Sequence, residues 1–93
     1  MRLILYSKPG CHLCEGLQEK LEQIQNLSFE LEIRDITTRE DWFAAYEYEV
    51  PVLYLSNHGG TEDVEGSEKL LPRPSPRASV QQLEQMLRKY LAN

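Results

Sequence analysis

The chain has 93 residues and a formal net charge of −5, with 41% hydrophobic and 27% charged residues. This length and composition are typical of one soluble globular domain, here residues 1–93, and exclude a disordered chain. The acidic balance excludes general nucleic-acid binding, and no apolar run is long enough to cross a bilayer.

The first two elements are a strand and a helix. Residues 3–6 are apolar without alternation, which predicts a central strand covered on both faces. After a Pro-Gly turn, apolar residues recur at helical spacing and predict an amphipathic helix that stops near Asn26. The predicted apolar stripe of this helix is Leu13, Leu17, Leu21 and Ile24. The strand lacks a small-residue cleavage site after it, so we expect no signal peptide and a cytoplasmic location.

The middle of the chain alternates strands with a short helix. Residues 29–34 alternate apolar and polar, which predicts a strand at or near a sheet edge. Thr37 with Glu40, and Thr38 with Asp41, have the spacing of capping boxes and predict the start of a short helix that extends to Tyr46. Residues 52–55 form a second apolar run, typical of another buried strand.

The last third of the chain is richer in turn residues. A Gly-Gly turn is predicted at residues 57–60, a short strand near the end of the acidic stretch 61–71, and an extended loop at three alternating prolines. Ser79 with Gln82 predicts the cap of a final helix. Its apolar positions are Val80, Leu83, Met86, Leu87, Tyr90 and Leu91. The predicted order is therefore βαβαββα, an α/β fold.

The chain has only two cysteines, Cys11 and Cys14, and they lie where the first strand passes into the first helix. Helix N-terminal N–H groups favour a thiolate, which is the form that attacks disulfides. A structural zinc site is the main alternative, but it needs four ligands and only His12 and His58 remain as typical partners. The pair therefore predicts redox chemistry, and we expect no metal.

The segment around the cysteines resembles a known family. Residues 6–14 read Tyr-Ser-Lys-Pro-Gly-Cys-His-Leu-Cys, and a later strand opens with Val50-Pro51. This combination resembles the glutaredoxin branch of the thioredoxin fold. The resemblance implies a four-stranded mixed sheet flanked by helices, a Cys11 nucleophile and a cis peptide before Pro51. It also implies that Val50 offers backbone groups to an extended thiol substrate and that glutathione is a co-substrate rather than a tightly bound cofactor.

Two departures from the family place the chain closer to its small glutaredoxin-related members. Typical glutaredoxins have Cys-Pro-Tyr-Cys, where this chain has Cys-His-Leu-Cys. They also hold the γ-glutamyl end of glutathione with a Gly-Gly-x-Asp-Asp-type segment, where residues 71–76 here read Leu-Pro-Arg-Pro-Ser-Pro. High glutathione affinity is therefore not expected. A family-style iron–sulfur cluster shared between two subunits is a further alternative, although we expect a monomer.

Basic residues are predicted to gather around the dithiol. If the first, second and fourth strands run the same way, the loops after all three lie at one edge of the sheet. Those loops carry Lys8, Arg34, Arg39, Arg73 and Arg77. The hypothesis is that Lys8 and one or more of these arginines bind carboxylates of glutathione or of an acidic partner. The plain alternative is that they are solubilising loop charges.

The predicted function is thiol–disulfide exchange through the Cys11–Cys14 dithiol, on glutathione mixed disulfides or protein disulfides. His12 lies between the two cysteines, where its charge would bias the redox potential, or it is simply an exposed helix-start residue. The predicted substrate-binding residues are Lys8, His12, Val50, Pro51 and Arg73. Two other functions stay open: a thioredoxin-like protein disulfide reductase that does not use glutathione, and a non-enzymatic redox sensor or binding module.

Overall fold

The computed structural model describes residues 2–56 and 68–91 and contains a mixed sheet with helices on both faces. The elements in chain order are β1 (Arg2–Ser7), α1 (His12–Glu22), β2 (Glu30–Asp35), a 3-10 turn (Ile36–Thr38), α2 (Glu40–Tyr46), β3 (Val52–Ser56), β4 (Glu68–Leu70) and α3 (Val80–Leu91). This order confirms the predicted βαβαββα arrangement and a thioredoxin-like α/β fold. The predicted Gly-Gly turn at residues 57–60 lies outside the described residues.

The sheet has the strand order β2-β1-β3-β4. β1 pairs with β2 in parallel, β3 runs antiparallel to β1, and β4 runs antiparallel to β3. β1, β2 and β4 therefore point the same way, as predicted, and the segments that follow them leave the sheet at the same edge. Both Cys11 and the segment after β4 lie at that edge.

β1 is covered on both faces because its side chains alternate between two apolar clusters. Leu3 and Leu5 join a large cluster under α1 and α3, whereas Ile4 and Tyr6 join a smaller one under α2. The buried members contributed by the two helices of the large cluster are Leu17, Leu21, Leu83 and Leu87. The interpretation of residues 3–6 as a central buried strand is thus confirmed.

β2 is an edge strand, as the alternation of residues 29–34 predicted. Phe29 and Leu31 pack against the large cluster, while Ile33 remains partly exposed. Glu30 and Glu32 lie on the face of the sheet that also carries Ile4, and both accept hydrogen bonds from Arg2 of the neighbouring strand. Charged side chains along an edge strand protect it from pairing with other chains.

The capping boxes predicted at Thr37 and Thr38 do not form. The Asp35 carboxylate accepts both the N–H and the hydroxyl of Thr37, and the Thr38 hydroxyl donates to the Asp35 carbonyl. These bonds cap the 3-10 turn instead, so α2 begins at Glu40 after Arg39, whose side chain makes no cap hydrogen bond.

The sequence predicts the start of α3 correctly but not the end of α1. α1 ends at Glu22, four residues before the predicted stop at Asn26. The next two N–H groups bond three residues back, as in a tightened last turn. α3 begins as predicted, because Ser79 and Gln82 each accept the other's backbone N–H through their side chains.

Candidate active site

Cys11 and Cys14 form a disulfide at the start of α1, with their Cα atoms 5.3 Å apart. Cys11 is the N-cap residue, and its Sγ accepts a hydrogen bond from the Cys14 N–H over 3.2 Å. A side chain in this position satisfies one of the N–H groups that a helix leaves unpaired at its first turn. The same N–H would stabilise negative charge on Cys11 Sγ once the disulfide is reduced.

The turn between β1 and α1 delivers Cys11 to this position. Gly10 has a φ of +80°, a backbone conformation that residues other than glycine rarely adopt. The Cys11 N–H closes the turn on the Lys8 carbonyl at 3.1 Å, and the Cys11 carbonyl accepts the first helical bond from Glu15 at 3.0 Å. Pro9-Gly10 is therefore the local reason that the strand ends and the helix begins at the first cysteine.

The two cysteines differ in their access to solvent. Cys14 is 1% exposed, whereas Cys11 is only partly buried. Of the two cysteines, Cys11 is therefore the more accessible to a molecule in solution.

Val50 and Pro51 lie next to the dithiol turn, and the peptide bond between them is cis, as the resemblance implied. Val52 pairs with Tyr6, so Pro51 stands beside the segment that follows β1. The Val50 N–H already donates to the Tyr46 carbonyl at 3.1 Å. An extended substrate would therefore use the Val50 carbonyl or displace this bond.

Two of the predicted substrate-binding cations contact the segment that leads into Val50. Lys8 Nζ donates to the Glu47 carbonyl at 3.4 Å, and Arg73 Nη2 donates to the Glu49 carbonyl. Both side chains thus connect a neighbouring loop to this backbone segment. Their hydrogen bonds hold the position of Val50 relative to the dithiol.

His12 and Leu13, the residues between the cysteines, both face outwards. The His12 side chain is 95% exposed and its Nδ1 lies 3.8 Å from a Glu15 carboxylate oxygen. Leu13 is 54% exposed, so its predicted place on the buried stripe of α1 is wrong. The reason is that the first turn of α1 lies over an open groove, whereas Leu17 and Leu21 further along are covered by the core.

Arg34 and Arg39, which were predicted to face the dithiol, instead contact aromatic rings of the smaller apolar cluster under α2. Arg34 lies over the rings of Tyr6 and Trp42 and donates to the Glu32 carboxylate at 2.6 Å. Burial lowers the pKa of Arg34, but hydrogen bonds to Glu32 and the Tyr6 hydroxyl outweigh it and raise the pKa overall. Arg39 stacks on Trp42 and pairs with a neighbouring carboxylate. Both arginines are structural in this arrangement.

Tyr46 and Tyr54 close the other end of this cluster, and their hydroxyl oxygens lie 3.3 Å apart. Burial, and then the hydrogen bond to Tyr54, raise the pKa of Tyr46 above its ordinary value. Tyr46 therefore stays neutral at physiological pH, and both tyrosines act here as packing and hydrogen-bonding groups.

Across residues 2–56 and 68–91, no three His, Cys, Asp or Glu side chains gather where they could hold a metal ion. No helix in these ranges is long and apolar enough to span a membrane.

The sequence did not point to the groove beside the dithiol, which runs between α1 and the proline-containing segment after β4. Gly16 and Lys20 of α1 line one side of it, and Pro74 and Pro76 line the other. A glycine inside a helical pattern and prolines at alternate positions were the available signals.

A family model described as a glutaredoxin-like domain (DUF836) matches residues 2–88. No curated protein and no solved structure matches the chain. The matched range includes the dithiol, Val50-Pro51 and all four strands.

Proposed function

Since the chain belongs to the glutaredoxin-like (DUF836) family over residues 2–88, we propose that it is a thiol–disulfide oxidoreductase that works through Cys11 and Cys14. The family and the cysteine pair indicate a redox-related role. Catalysis of disulfide reduction is the step beyond that. We place the reaction in the cytoplasm, where cysteine pairs are kept reduced between turnovers.

The proposed cycle has two exchange steps. The Cys11 thiolate attacks one sulfur of a substrate disulfide, so that a mixed disulfide forms and the first substrate thiolate leaves. Cys14 loses its proton and attacks Cys11 Sγ, which forms the Cys11–Cys14 disulfide and releases the second substrate thiolate. The substrate gains two electrons from the protein dithiol, and its two thiolates become thiols by taking up the Cys14 proton and one proton from solvent.

The hydrogen bond from the Cys14 N–H to Cys11 Sγ is the observation that carries this proposal. A donor 3.2 Å from the sulfur, at a helix N-terminus, stabilises the thiolate relative to the thiol. When Cys14 attacks Cys11 Sγ, the leaving group is the substrate thiolate, so the pKa of the substrate thiol sets how readily it departs. The difference in burial between the two cysteines supports their division into nucleophile and resolving thiol.

The proposed substrate site lies around this sulfur. We assign substrate contacts to His12, Val50 and Pro51, with Lys8 and Arg73 holding the Val50 segment and offering positive charge beside it. Glutathione, as donor or as part of a mixed disulfide, is the co-substrate that the family suggests. A reductase that passes electrons from a flavin is the alternative donor.

A paired assay tests the proposal. One arm measures reduction of a glutathione mixed disulfide with glutathione as donor, and the other measures reduction of a protein disulfide with thioredoxin reductase. We expect activity in at least one arm, and its complete loss in Cys11→Ser. If the reduced protein reacts with disulfides no faster than free cysteine does in either arm, the proposed function is wrong.

A further inference from the structure

The groove between α1 and the segment after β4 has a volume of about 160 Å³ and begins at His12, the neighbour of Cys11. Most of its lining is apolar. The larger apolar residues that line it are Leu13, Leu17, Pro51, Pro74, Pro76 and Leu83. Leu13 stands at its rim with about half of its surface in water. An exposed leucine beside a reactive sulfur offers apolar surface to whatever binds there.

The cations that line the groove already donate hydrogen bonds to backbone carbonyls of the protein. Lys20 Nζ donates to the carbonyls of Pro76 and Ala78 at 2.8 and 2.6 Å. Arg73 donates to the Glu49 carbonyl. Glutathione carries carboxylates at both ends, and a carboxylate that bound here would share these cations with the carbonyls that they already contact.

The backbone after β4 also has few N–H groups to offer a carboxylate. Pro72, Pro74 and Pro76 have none. The N–H groups that already donate within the protein are those of Leu71, Arg77, Ala78 and Ser79. Over residues 71–79 as the structure describes them, only Arg73 and Ser75 fall outside these two sets. A carboxylate normally needs several such donors, so this wall of the groove suits apolar groups.

Gly16 leaves the floor of the groove open. No atom outside its own helix lies within 4 Å of the place where a Cβ would stand. Glycine inside a helix costs about 0.8–1 kcal/mol relative to alanine, and no packing contact in the structure explains that cost. The space is instead part of the groove, next to Leu13 and Leu17.

We propose that this groove binds a bulky apolar side chain adjacent to the disulfide cysteine of a protein substrate, so that protein disulfides are reduced in preference to glutathione disulfides. This inference rests on the proposed redox function and names its substrate class. The substrate chain enters beside Pro51 and places its apolar residue over Leu13 and Gly16. Two electrons pass from the Cys11–Cys14 dithiol to that substrate disulfide, as in the cycle above.

Single-turnover rates of the fully reduced protein test the preference without any reductase. The protein is mixed with a peptide disulfide that has leucine beside its cysteine, with the same peptide carrying serine there, or with glutathione disulfide. Formation of the Cys11–Cys14 disulfide is followed over time. We expect the leucine peptide to react about tenfold faster than the other two, as partial burial of one leucine side chain would give.

Gly16→Leu fills the groove while it improves helix propensity, so its effect cannot be attributed to a weakened helix. We expect it to slow the leucine peptide about tenfold and to change the glutathione disulfide rate less than twofold. Gln85→Leu adds the same side chain at an exposed, uncharged position of α3 and serves as its control. It should change none of the rates.

Leu13→Ser is a second variant, and it removes apolar surface from the rim. Its matched control is Leu70→Ser, because Leu70 of β4 is 59% exposed and is not among the residues that line this groove. Only Leu13→Ser should slow the leucine peptide. Neither change removes a buried side chain, so both proteins should fold.

The outcomes separate this inference from the function on which it rests. Equal rates for the leucine and serine peptides, or equal slowing by a variant and its control, would overturn the groove's role while the oxidoreductase function stands. A tenfold preference for glutathione disulfide would overturn it as well. If all three disulfides react no faster than with free cysteine, the proposed function itself fails.

Discussion

Replacing Gly16 with alanine should make the protein more stable. Glycine is about 0.8–1.0 kcal/mol less favourable than alanine in a helix interior. The new Cβ would meet no atom within 4 Å beyond its own helix, so no steric cost offsets the gain. The free energy of unfolding should therefore rise by about 0.8–1 kcal/mol, and Tm by roughly 4–8 °C in a domain of this size.

Urea unfolding of the oxidised protein measures this change, with the disulfide intact in every variant. Gly10→Ala is the control, since its Cβ would also stand in open space. Its φ of +80° should instead make the substitution cost about 1–2 kcal/mol. If Gly16→Ala lowers stability or leaves it unchanged, the description of an open groove at this position is wrong.

Three other side chains give tests of the reaction, of a helix cap and of an acid-sensitive ion pair. In Cys14→Ser nothing resolves the mixed disulfide on Cys11, so mass spectrometry should find one substrate thiol bound per chain, and rapid release without added thiol would count against the cycle. Ser79→Ala removes the acceptor of the Gln82 N–H and should lower the free energy of unfolding by about 1 kcal/mol in urea titrations; an unchanged midpoint would show that the cap is not stabilising. The hydrogen bond from Arg34 holds the pKa of Glu32 below its ordinary 4.5. The ionised Glu32 therefore stabilises the fold above that pH, and this stabilisation is lost as the pH falls through the lower folded-state pKa. Glu32→Gln should therefore reduce the loss of stability in acid, and identical acid profiles for both proteins would refute this assignment.

The sequence predicted the fold well wherever apolar periodicity decides the structure. Residues 3–6 have no alternation because β1 is covered on both faces, and residues 29–34 alternate because β2 is an edge strand. Leu13 shows the limit of this reasoning. Periodicity shows which face of α1 a residue lies on. Whether that face is covered depends on how far α3 and the segment before it extend over α1, which periodicity does not reveal.

Capping was harder to predict because a hydroxyl with the spacing of a cap can bond to another polar group nearby. The Thr37 and Thr38 hydroxyls had suitable spacing, but Asp35 lies closer in the chain and engages both. Ser79 has no such competitor among its described contacts, and its capping box forms.

Part of the candidate site could be predicted from the sequence, and part could not. The position of the cysteines and the cis peptide before Pro51 follow from local sequence and from the family pattern. The partners of Lys8 and Arg73 do not, because they are backbone carbonyls of the Glu47–Glu49 segment, distant in the chain from both. A long cationic side chain bonds whichever carbonyl the fold brings near it, and spacing alone does not reveal that carbonyl.

The central claim is that Cys11 is a stabilised thiolate near neutral pH, and the pH dependence of its alkylation tests this most directly. In Cys14→Ser, Cys11 is the only thiol, while the backbone N–H of residue 14 stays in place. We predict that the rate of reaction with iodoacetamide reaches half its maximum at a pH clearly below the ordinary cysteine pKa of about 8.5. A midpoint at that ordinary value would contradict the account.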